Sequence, residues 1–374
     1  MVLTELHLRN FRNHADTELK PGQGVSALLG KNGQGKTNIL EAIAYLGLTK
    51  SFTASGDAHV LKIGGEAFEI DAVVVADSGV SHRMHVEYRR DTGQKDILVD
   101  GGRPETLASV IGRFPVVILS PEHGAITAGG PAERRRFLDI VLSQMSAAYL
   151  SDLLEYRKAL RQRNSLLAGS RNGAVPSTAA LDPWTEALAT VGARIVGRRM
   201  QFVEEFRAYV TAAYASVVHS DEIPELQYSG MREPGETVDA IRDRLLLGMR
   251  ERWAEEIRRG QSLIGPHRDE LRLVLNGLGV QEFASQGQHK SYLVALKMAE
   301  FSYMRERRQE APMLLLDDVF SELDESRAEN ILRLVMAAGQ SIITATHERV
   351  FHNAIPWNRH HRRFLVENGT CRAS

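Results

Sequence analysis

Apolar and polar residues alternate at the start of the chain, in LTELHL, and a turn at KPGQG then leads into the apolar run VSALLG. After a Gly-rich loop, Ile39, Leu40, Ile43 and Leu46 recur at the spacing of one helix face. The pattern predicts a strand, a loop and a helix, in that order.

From about residue 59 to 99 the pattern changes to short alternating runs, FEIDAVVV, HRMHVEYR and DILVD, separated by ADSG, DTG and DGG. Alternation between turn clusters is typical of an antiparallel meander. The apolar run PVVIL then predicts a further buried strand.

Residues 132 to about 260 are predicted to be mostly helical. Apolar residues at helical spacing mark one face in each of two blocks: Leu150, Leu153, Leu154 and Leu160, then Trp184, Leu188, Val191, Ile195, Phe202, Phe206 and Val210. Asp182-Pro183 predicts the start of the second block, and AGSRNGAVPSTAA is the linker before it. Gly and Pro interrupt the blocks too often for a long coiled coil.

Strand character returns in LRLVLNGLGV, with Asn276-Gly277 predicted as a tight turn. The polar loop FASQGQHKSY, a long helix, the strand MLLLDD, a helix from about Ser326 and the strand SIITAT follow. We therefore expect an α/β fold in which a helical insertion splits one mixed-sheet domain. The expected bounds are 1–132 and 263–374 for the two parts of that domain, and 133–262 for the helical arm.

Hydrophobic residues make up 43% of the chain and the net charge is −1. A near-neutral chain has no global basic field, so any nucleic-acid binding must come from a local patch. No apolar run approaches the roughly 18 residues of a membrane span, and we expect the N-terminus to be a strand, not a signal peptide. The single cysteine, Cys371, excludes an internal disulfide and fits a reducing cytoplasm.

The Gly-rich loop reads GKNGQGKT, which fits G-x-x-x-x-G-K-[ST] at every fixed position. Such a loop directs its backbone N–H groups, and the positive end of the next helix, at phosphate oxygens. Lys36 should reach the β- and γ-phosphates of ATP, and the Thr37 hydroxyl should bind Mg²⁺. The predicted nucleotide-binding residues are Gly30, Lys31, Asn32, Gly33, Gln34, Gly35, Lys36, Thr37 and Asn38.

Asp317-Asp318 follow a run of four apolar residues, 313 to 316, and Thr346-His347 lie at the end of the apolar strand SIITAT. The carboxyl ends of buried parallel strands meet at one ligand crevice. We expect Asp317 to bind Mg²⁺, directly or through water, and Asp318 to polarise the attacking water. His347 is predicted to contact the γ-phosphate or that water.

The loop Ser285, Gln286, Gly287 and Gln288 resembles the LSGGQ signature of ABC-type ATPases and opens a helix. In that architecture the signature closes over a nucleotide held by a second subunit. Ser321-Glu322-Leu323-Asp324 resembles the D-loop that runs along such a dimer seam, with Asp324 as its acid.

Taken together, these segments resemble the RecF family of DNA-repair ATPases in the ABC/SMC group. The resemblance spans the chain through NFRNH, GKNGQGKTNILEAI, GGPAERRRFLD, GPHRDEL, ASQGQHKS and LLLDDVFSELD. It implies an ABC-type ATPase head with an antiparallel β subdomain and a short helical arm. It also implies an ATP-dependent homodimer that binds double-stranded or gapped DNA.

The same resemblance implies RecR and RecO as partners, RecA loading, and a part in replication restart and the SOS response, in the cytoplasm at the nucleoid and away from membranes. Three departures from ABC patterns suggest a switch with slow hydrolysis. Asp318 replaces the usual Glu, Ser120-Pro121-Glu122 stands where a Q-loop glutamine would fall, and Ala284 and Gln286 alter the signature.

Basic clusters are candidates for DNA phosphates: Arg134, Arg135, Arg136, Arg157, Lys158 and Arg161, with Arg163, Arg198 and Arg199 nearby. A solvated helical face is the alternative. Arg12 is a further candidate for the adenine or the phosphates, and GPHRDEL has no role that its composition assigns.

Three other functions stay open at this point. An SMC- or RecN-like chromosome ATPase would need a longer coiled coil, and a transporter subunit would lack the arm and RRRFLD. A nucleotide-gated DNA clamp with negligible hydrolysis differs from a slow ATPase only in its measured turnover.

Overall fold

The computed structural model describes residues 1–169, 177–218, 220–230, 235–322, 325–351 and 354–374. In chain order its strands are β1 (Val2–Phe11), β2 (His14–Leu19), β3 (Val25–Leu29), β4 (Ala67–Val75), β5 (Ser81–Arg89), β6 (Lys95–Val99), β7 (Val116–Leu119), β8 (Pro224–Ser229), β9 (Glu270–Leu275), β10 (Leu278–Gly279), β11 (Met313–Leu316), β12 (Ser341–Ala345), β13 (Arg362–Glu367) and β14 (Thr370–Ala373). Its α-helices are α1 (Lys36–Leu48), α2 (Ala125–Ala128), α3 (Pro131–Met145), α4 (Ala147–Gly169), α5 (Thr178–Val217), α6 (Val238–Glu251), α7 (Trp253–Arg259), α8 (Val280–Phe283), α9 (Gln286–Arg308) and α10 (Glu325–Ala337).

The chain divides into two compact units. The first comprises residues 1–124, 209–221 and 286–374, and the second comprises residues 125–208 and 222–285. Residues 263–285 group with the second unit because β9 pairs with β8 along its whole length. The domain bounds 1–132, 133–262 and 263–374 stay a prediction, and they differ from the bounds of these two compact units.

The first unit contains a six-stranded sheet in the order β14-β13-β3-β12-β11-β7. Its strands are parallel except β14, which pairs antiparallel with β13. Every residue of β7, β11 and β12 is buried, as expected of strands covered on both faces. The helix α1 packs its predicted apolar face, Ile39, Leu40, Ile43 and Leu46, completely away from solvent.

A second, antiparallel sheet of the first unit has the order β2-β1-β4-β5-β6. Its last three strands are the predicted meander, which the structure confirms. Phe11, Tyr45 and Phe68 join β1 and β4 to α1 through edge-to-face ring contacts, with centroids 5.4 to 6.5 Å apart. This cluster fixes the helix that follows the Gly-rich loop.

Helix α5 is 40 residues long and begins at Thr178, so the start predicted at Asp182-Pro183 is wrong. Pro183 lies inside the helix, close enough to its start to remove a single early hydrogen bond. The predicted apolar face of α5 is buried, except that Trp184 is half-buried. On α4, Leu154 is 48% exposed and does not share the buried face of Leu150 and Leu153, because it lies one position past that face.

The second unit also contains a three-stranded antiparallel sheet in the order β10-β9-β8. The tight turn at Asn276-Gly277 is confirmed, with φ of 52° and 77°. Strand β8 lies in the stretch predicted to be mostly helical. It forms a strand there because buried Pro224 and Leu226 alternate with exposed Glu225 and Gln227. Of the predicted linker, residues 170–176 lie outside the described part of the chain.

In the described ranges, no helix has both the length and the apolar character needed to cross a bilayer.

Candidate functional site

Four neighbouring parallel strands, β3, β12, β11 and β7, end at the same edge of the six-stranded sheet. The Gly-rich loop follows β3, Thr346-His347 follow β12, Asp317-Asp318 follow β11, and Ser120-Pro121 follow β7. The sheet order therefore brings together the segments that the sequence predicts to form a phosphate and metal site.

The Gly-rich loop adopts the backbone that its glycines permit. Gly30, Gly33 and Gly35 have φ of 154°, 80° and 112°, in the region that favours glycine. A Cβ on Gly30 would lie 2.3 Å from the Val366 carbonyl oxygen, so no other residue fits there. Helix α1 starts after Gly35 with no side-chain cap and no acidic residue in its first turn. Its N–H groups and positive end are therefore available to an anion.

Lys36 is buried inside this loop. Its Nζ donates to the carbonyl oxygens of Gly30 at 2.5 Å and Lys31 at 2.9 Å. Burial lowers the pKa of Lys36, and the nearby carboxylates of Asp318 and Asp317 oppose that shift. The ammonium group is thus held inside the loop by two backbone carbonyl groups.

The side chains of Thr37 and Asp317, the two predicted Mg²⁺ ligands, lie within hydrogen-bond distance of each other. The Thr37 hydroxyl lies 2.9 and 3.0 Å from the two carboxylate oxygens of Asp317. Thr344, on β12, donates to the same carboxylate at 2.7 Å. Burial raises the pKa of Asp317, and the bonds from Thr344 and Thr37 oppose that shift. A hydroxyl beside a buried, oriented carboxylate is the protein part of a typical Mg²⁺ site, where waters and phosphates complete the shell.

Among the described residues, no group of three or more His, Cys, Asp or Glu side chains is placed to hold a metal by itself. Thr37 and Asp317 nevertheless fit Mg²⁺, since this ion keeps several waters and needs only one or two protein carboxylates.

Asp318 and His347 lie at the same edge. The backbone of Asp318 has φ of 51°, and its N–H donates to the Thr344 hydroxyl at 2.9 Å. His347 is exposed directly after β12. The roles of the two residues in hydrolysis stay predictions.

Two turns clamp the Gly-rich loop from outside. Asn13, in the turn between β1 and β2, donates to the Gln34 carbonyl oxygen at 3.0 Å and accepts from Asn38 at 2.8 Å. Between β13 and β14, Gly369 N donates to the same Gln34 carbonyl at 3.0 Å, and Asn368 N donates to the Gln34 side chain at 2.7 Å. No local pattern in the sequence predicts the β13–β14 clamp, which joins residues more than 300 positions apart.

The Arg12 guanidinium is hydrogen-bonded to other residues of the first unit. Its guanidinium forms two bonds with Glu41, at 2.8 and 2.7 Å, and also donates to Thr53 and the His59 carbonyl. Glu41 is 1% exposed and lies on α1. Arg12 thus anchors α1 to residues 53 to 59, and its predicted nucleotide contact stays a prediction.

The signature segment contains a boundary, along the sequence, between the two units. Ser285 ends the second unit, and Gln286 starts both the first unit's last segment and helix α9. Ser285 and Gln286 are exposed, and Gly287 and Gln288 are half-buried. The D-loop acid Asp324 lies outside the described residues.

The predicted DNA-binding residues separate into two groups. The Arg134 guanidinium is 5% exposed and pairs with Glu270 at 2.8 Å, so its predicted contact with DNA phosphates does not hold for the side chain as placed. Arg135 is half-buried, donates to the Asp269 carbonyl at 2.7 Å, and has a pKa lowered mainly by burial. The remaining four predicted residues are exposed: Arg136, Arg157, Lys158 and Arg161.

GPHRDEL contributes to a buried polar network of the second unit. Arg199 donates to the Pro266 carbonyl and to Asp139, both at 2.7 Å. His267 Nδ1 lies 2.6 Å from the Tyr156 hydroxyl, and Tyr228 bonds to Asp269. These side chains of the motif therefore have a structural role within the second unit.

Another buried cation of this unit is Arg163, which pairs with Glu256 at 2.6 Å. Arg198 is half-buried and bonds to Asp152. No sequence pattern distinguishes these arginines from solvated ones, because their partners lie 93 and 46 residues away along the chain.

Comparison with known proteins follows the same outline. The RecF/RecN/SMC N terminal domain family matches residues 2–372. The chain is 41% identical over 356 residues to the DNA replication and repair protein RecF of Chloroherpeton thalassium, covering 94% of this chain and 96% of that protein. It is also 41% identical over 360 residues to the protein of the same name from Salinibacter ruber, covering 95% and 87%.

Among solved structures, the recombination mediator protein RecF with ATP in the RecFOR pathway matches with a TM-score of 0.90 and 30% identity, covering 100% of this chain and 97% of that chain. An SMC head bound to the C-winged helix domain of ScpA matches with a TM-score of 0.57 and 14% identity, a likeness of fold alone.

Proposed function

Because the chain belongs to the RecF family of DNA replication and repair proteins, we propose that it is an ATP-dependent DNA-binding protein that hydrolyses ATP slowly and dimerises when ATP binds. The observation that carries this proposal is the pairing of Thr37 with Asp317 beside the buried Lys36. These three side chains come from segments 280 residues apart and fit a metal-bound triphosphate.

Nucleotide binding rests on residues 30 to 38. The N–H groups of the loop and of α1 surround the phosphates, and Lys36 leaves its two carbonyl acceptors for the β- and γ-phosphates. Bound Mg²⁺, held through Thr37 and Asp317, would neutralise charge that develops on the phosphates.

Hydrolysis depends on Asp318, which directly follows Asp317 at the end of β11. Its carboxylate orients the attacking water and accepts a proton from it. His347 contacts the γ-phosphate edge from the end of β12. Because the Asp318 side chain is one methylene shorter than the usual Glu, it holds that water less well, and we expect slow turnover suited to a switch.

Dimerisation depends on the signature segment, from Ser285 to Gln288. Exposed Ser285 and the start of α9 offer a hydroxyl, N–H groups and a positive helix end to the γ-phosphate held by a second copy. ATP would then join two chains that each lack half of the site.

DNA binding depends on the exposed residues Arg136, Arg157, Lys158 and Arg161, which two copies would bring together into one basic surface. We propose double-stranded or gapped DNA as the ligand and stimulation of hydrolysis by DNA. The solved RecF structures are assigned to the RecFOR pathway, and on that ground we propose RecR and RecO as partners, RecA loading in the SOS response, and a nucleoid location in the cytoplasm.

The test measures ATP binding and mass together. Analytical ultracentrifugation with and without ATP should show a monomer converting to a dimer in the wild type, and Lys36→Ala should neither bind ATP nor dimerise. Ser285→Arg should bind ATP as a monomer. Lys20→Ala and Ser81→Arg, at exposed positions of the first unit, are the matched controls and should behave as the wild type. ATP binding by Lys36→Ala would refute the nucleotide site, and a dimer of Ser285→Arg with ATP would refute the shared site.

A further inference from the structure

A buried hydroxyl group lies beside the two adjacent acids that follow β11. It belongs to Thr344 of β12, which is 1% exposed in a strand whose residues are all buried. Leu316, the last residue of β11, pairs with Ile343 in the parallel register, so Thr344 lies level with Asp317. A hydroxyl group in such a place is unfavourable unless it is hydrogen-bonded.

The Thr344 hydroxyl forms two hydrogen bonds, and its partners fix the direction of each. The backbone N–H of Asp318 donates to the Thr344 oxygen at 2.9 Å, and an N–H group has no other role. An ionised carboxylate only accepts, so the Thr344 hydroxyl donates to Asp317 Oδ1, at 2.7 Å. One side chain therefore contacts both the predicted Mg²⁺ ligand and the backbone of the predicted catalytic acid.

The bond to Asp317 restrains the rotation of its carboxylate. Thr37 also bonds to this carboxylate, at 2.9 and 3.0 Å, but the Thr37 hydroxyl is itself a predicted Mg²⁺ ligand. Thr344 is not a predicted ligand, so its bond to Asp317 does not depend on the ion. Hydrogen-bond partners of this kind orient the residues that bind a metal and raise the affinity of the site.

The bond from Asp318 supports an uncommon backbone conformation. Asp318 has φ of 51°, in the left-handed region that residues other than glycine seldom adopt. Its N–H is bonded to a side chain of the neighbouring strand, and this bond stabilises the turn in which the chain leaves β11. The direction of the Asp318 side chain depends on that turn.

We propose that Thr344 is a positioning residue that orients the Asp317 carboxylate for Mg²⁺ and, through the same hydroxyl group, fixes the backbone of Asp318 for hydrolysis. The inference rests on the proposed function and extends it to a residue of β12 outside the predicted site. Because one hydroxyl group serves both acids, its removal should impair Mg²⁺ binding and turnover together. A saturating concentration of Mg²⁺ should then restore ion binding but not turnover.

The first test measures the Mg²⁺ concentration that half-saturates binding of a non-hydrolysable ATP analogue, and then ATP turnover at saturating Mg²⁺. Thr344→Val keeps the branched shape without the hydroxyl, and it should raise the midpoint about tenfold and lower turnover about tenfold. Thr344→Ser keeps the hydroxyl and should stay within about threefold of the wild type in both. Ser341→Ala is the matched control and should behave as the wild type, since this buried hydroxyl of the same strand contacts the Val335 carbonyl oxygen at 3.5 Å.

The second test needs neither metal nor nucleotide. Urea unfolding of Thr344→Val, Asp317→Ala and the double variant forms a double-mutant cycle. The two losses of stability should not add, because each substitution removes the same hydrogen bond. Thr344→Ala is the second variant without the hydroxyl, for use if the valine variant does not fold.

Three results would overturn the inference. The first is a cycle in which the losses of stability add. The second is a Mg²⁺ midpoint and a turnover in Thr344→Val that equal those of the wild type. The third is a Thr344→Ser variant as impaired as Thr344→Val, which would assign the effect to packing and not to the hydroxyl. Full recovery of turnover in Thr344→Val at saturating Mg²⁺ would overturn the part that concerns Asp318.

Failure of this inference and failure of the proposed function give different results. If the proposed nucleotide site is wrong, the wild type and Lys36→Ala will bind the ATP analogue equally. If only the role of Thr344 is wrong, the wild type will bind the analogue better than Lys36→Ala, and Thr344→Val will share the wild-type Mg²⁺ midpoint.

Discussion

Replacing His267 with glutamine should make the second unit less sensitive to acid. His267 Nδ1 lies 2.6 Å from the Tyr156 hydroxyl and Nε2 lies 3.1 Å from the Ser262 carbonyl oxygen. A neutral imidazole satisfies both partners by accepting at Nδ1 and donating at Nε2. Burial lowers the pKa of His267 to about 4, with the charges of Arg268 and Arg135 contributing further.

The sign of the pH effect follows from this shift. The folded state favours the neutral ring, so the stability contributed by His267 is fully present above the ordinary pKa of 6.5 and is lost as the pH falls toward 4. A shift from 6.5 to about 4 corresponds to about 3 kcal/mol, at 1.36 kcal/mol per unit.

Asp269, two residues away, opposes this effect. Burial raises its pKa to about 6 from the ordinary 3.8. The folded state favours its protonated form, so this contribution is present below 3.8 and is lost as the pH rises through 6. The size is again about 3 kcal/mol. Between pH 6 and 4 the stability lost through His267 and the stability gained through Asp269 nearly cancel. The unfolding free energy of the wild type therefore shows neither change.

The assay is urea unfolding followed by circular dichroism at pH 7, 6, 5 and 4. At pH 7 His267→Gln should lose about 1 kcal/mol, because the bond with Tyr156 is weakened. Between pH 7 and pH 4 the unfolding free energy of the variant should rise by about 3 kcal/mol relative to that of the wild type. His59→Gln, at an exposed position, should follow the wild type throughout. Parallel curves for His267→Gln and the wild type would refute the reasoning.

Three further substitutions test the loop clamp and the two groups of arginines. Gly369→Ala should weaken ATP binding about tenfold or more, measured by calorimetry, because φ is 73° and the new Cβ would lie 2.3 Å from the Asn13 carbonyl oxygen. Arg134→Ala should cost about 2 to 3 kcal/mol in urea unfolding, since it leaves Glu270 without its partner in a mostly buried place. Arg136→Ala should leave stability unchanged but reduce the slope of log K against log salt for duplex DNA by about 0.9 for each phosphate that the arginine neutralises in the wild type. An unchanged ATP affinity, an unchanged unfolding free energy or an unchanged slope would contradict the respective prediction.

The parts of the fold that the sequence predicts are those that local patterns determine. The Gly-rich loop with α1, the strand ending at Asp317 and the turn at Asn276-Gly277 each carry their signal within about ten residues. The predicted start of α5 is wrong because a proline near a helix start is compatible with more than one register. Strand β8 escapes prediction because six residues of alternation are a weak signal beside long helices.

The charged residues show why a site is harder to predict than a fold. Arg134 and Arg136 belong to one run of three arginines, yet the first is buried on Glu270 and the second is exposed. The two side chains lie on different faces of the helix, and the partner of Arg134 is 136 residues away along the chain. Composition reveals neither fact. Arg12 likewise pairs with Glu41, a carboxylate that α1 buries beside it, and no local pattern in the sequence indicates this pair.

The clamped state of the Gly-rich loop bears on how ATP could act as a signal. Asn13 from one turn and Gly369 from another fix the backbone of Gln34 through bonds within the protein. A loop that is already ordered needs little of the phosphate binding energy for its own ordering, so that energy remains for a later step. On our proposal that step is closure of the γ-phosphate edge by the signature segment of a second copy. The free energy of nucleotide binding would therefore appear mainly as dimer affinity, and weakening the clamp should reduce ATP affinity and the ATP-dependence of dimerisation together.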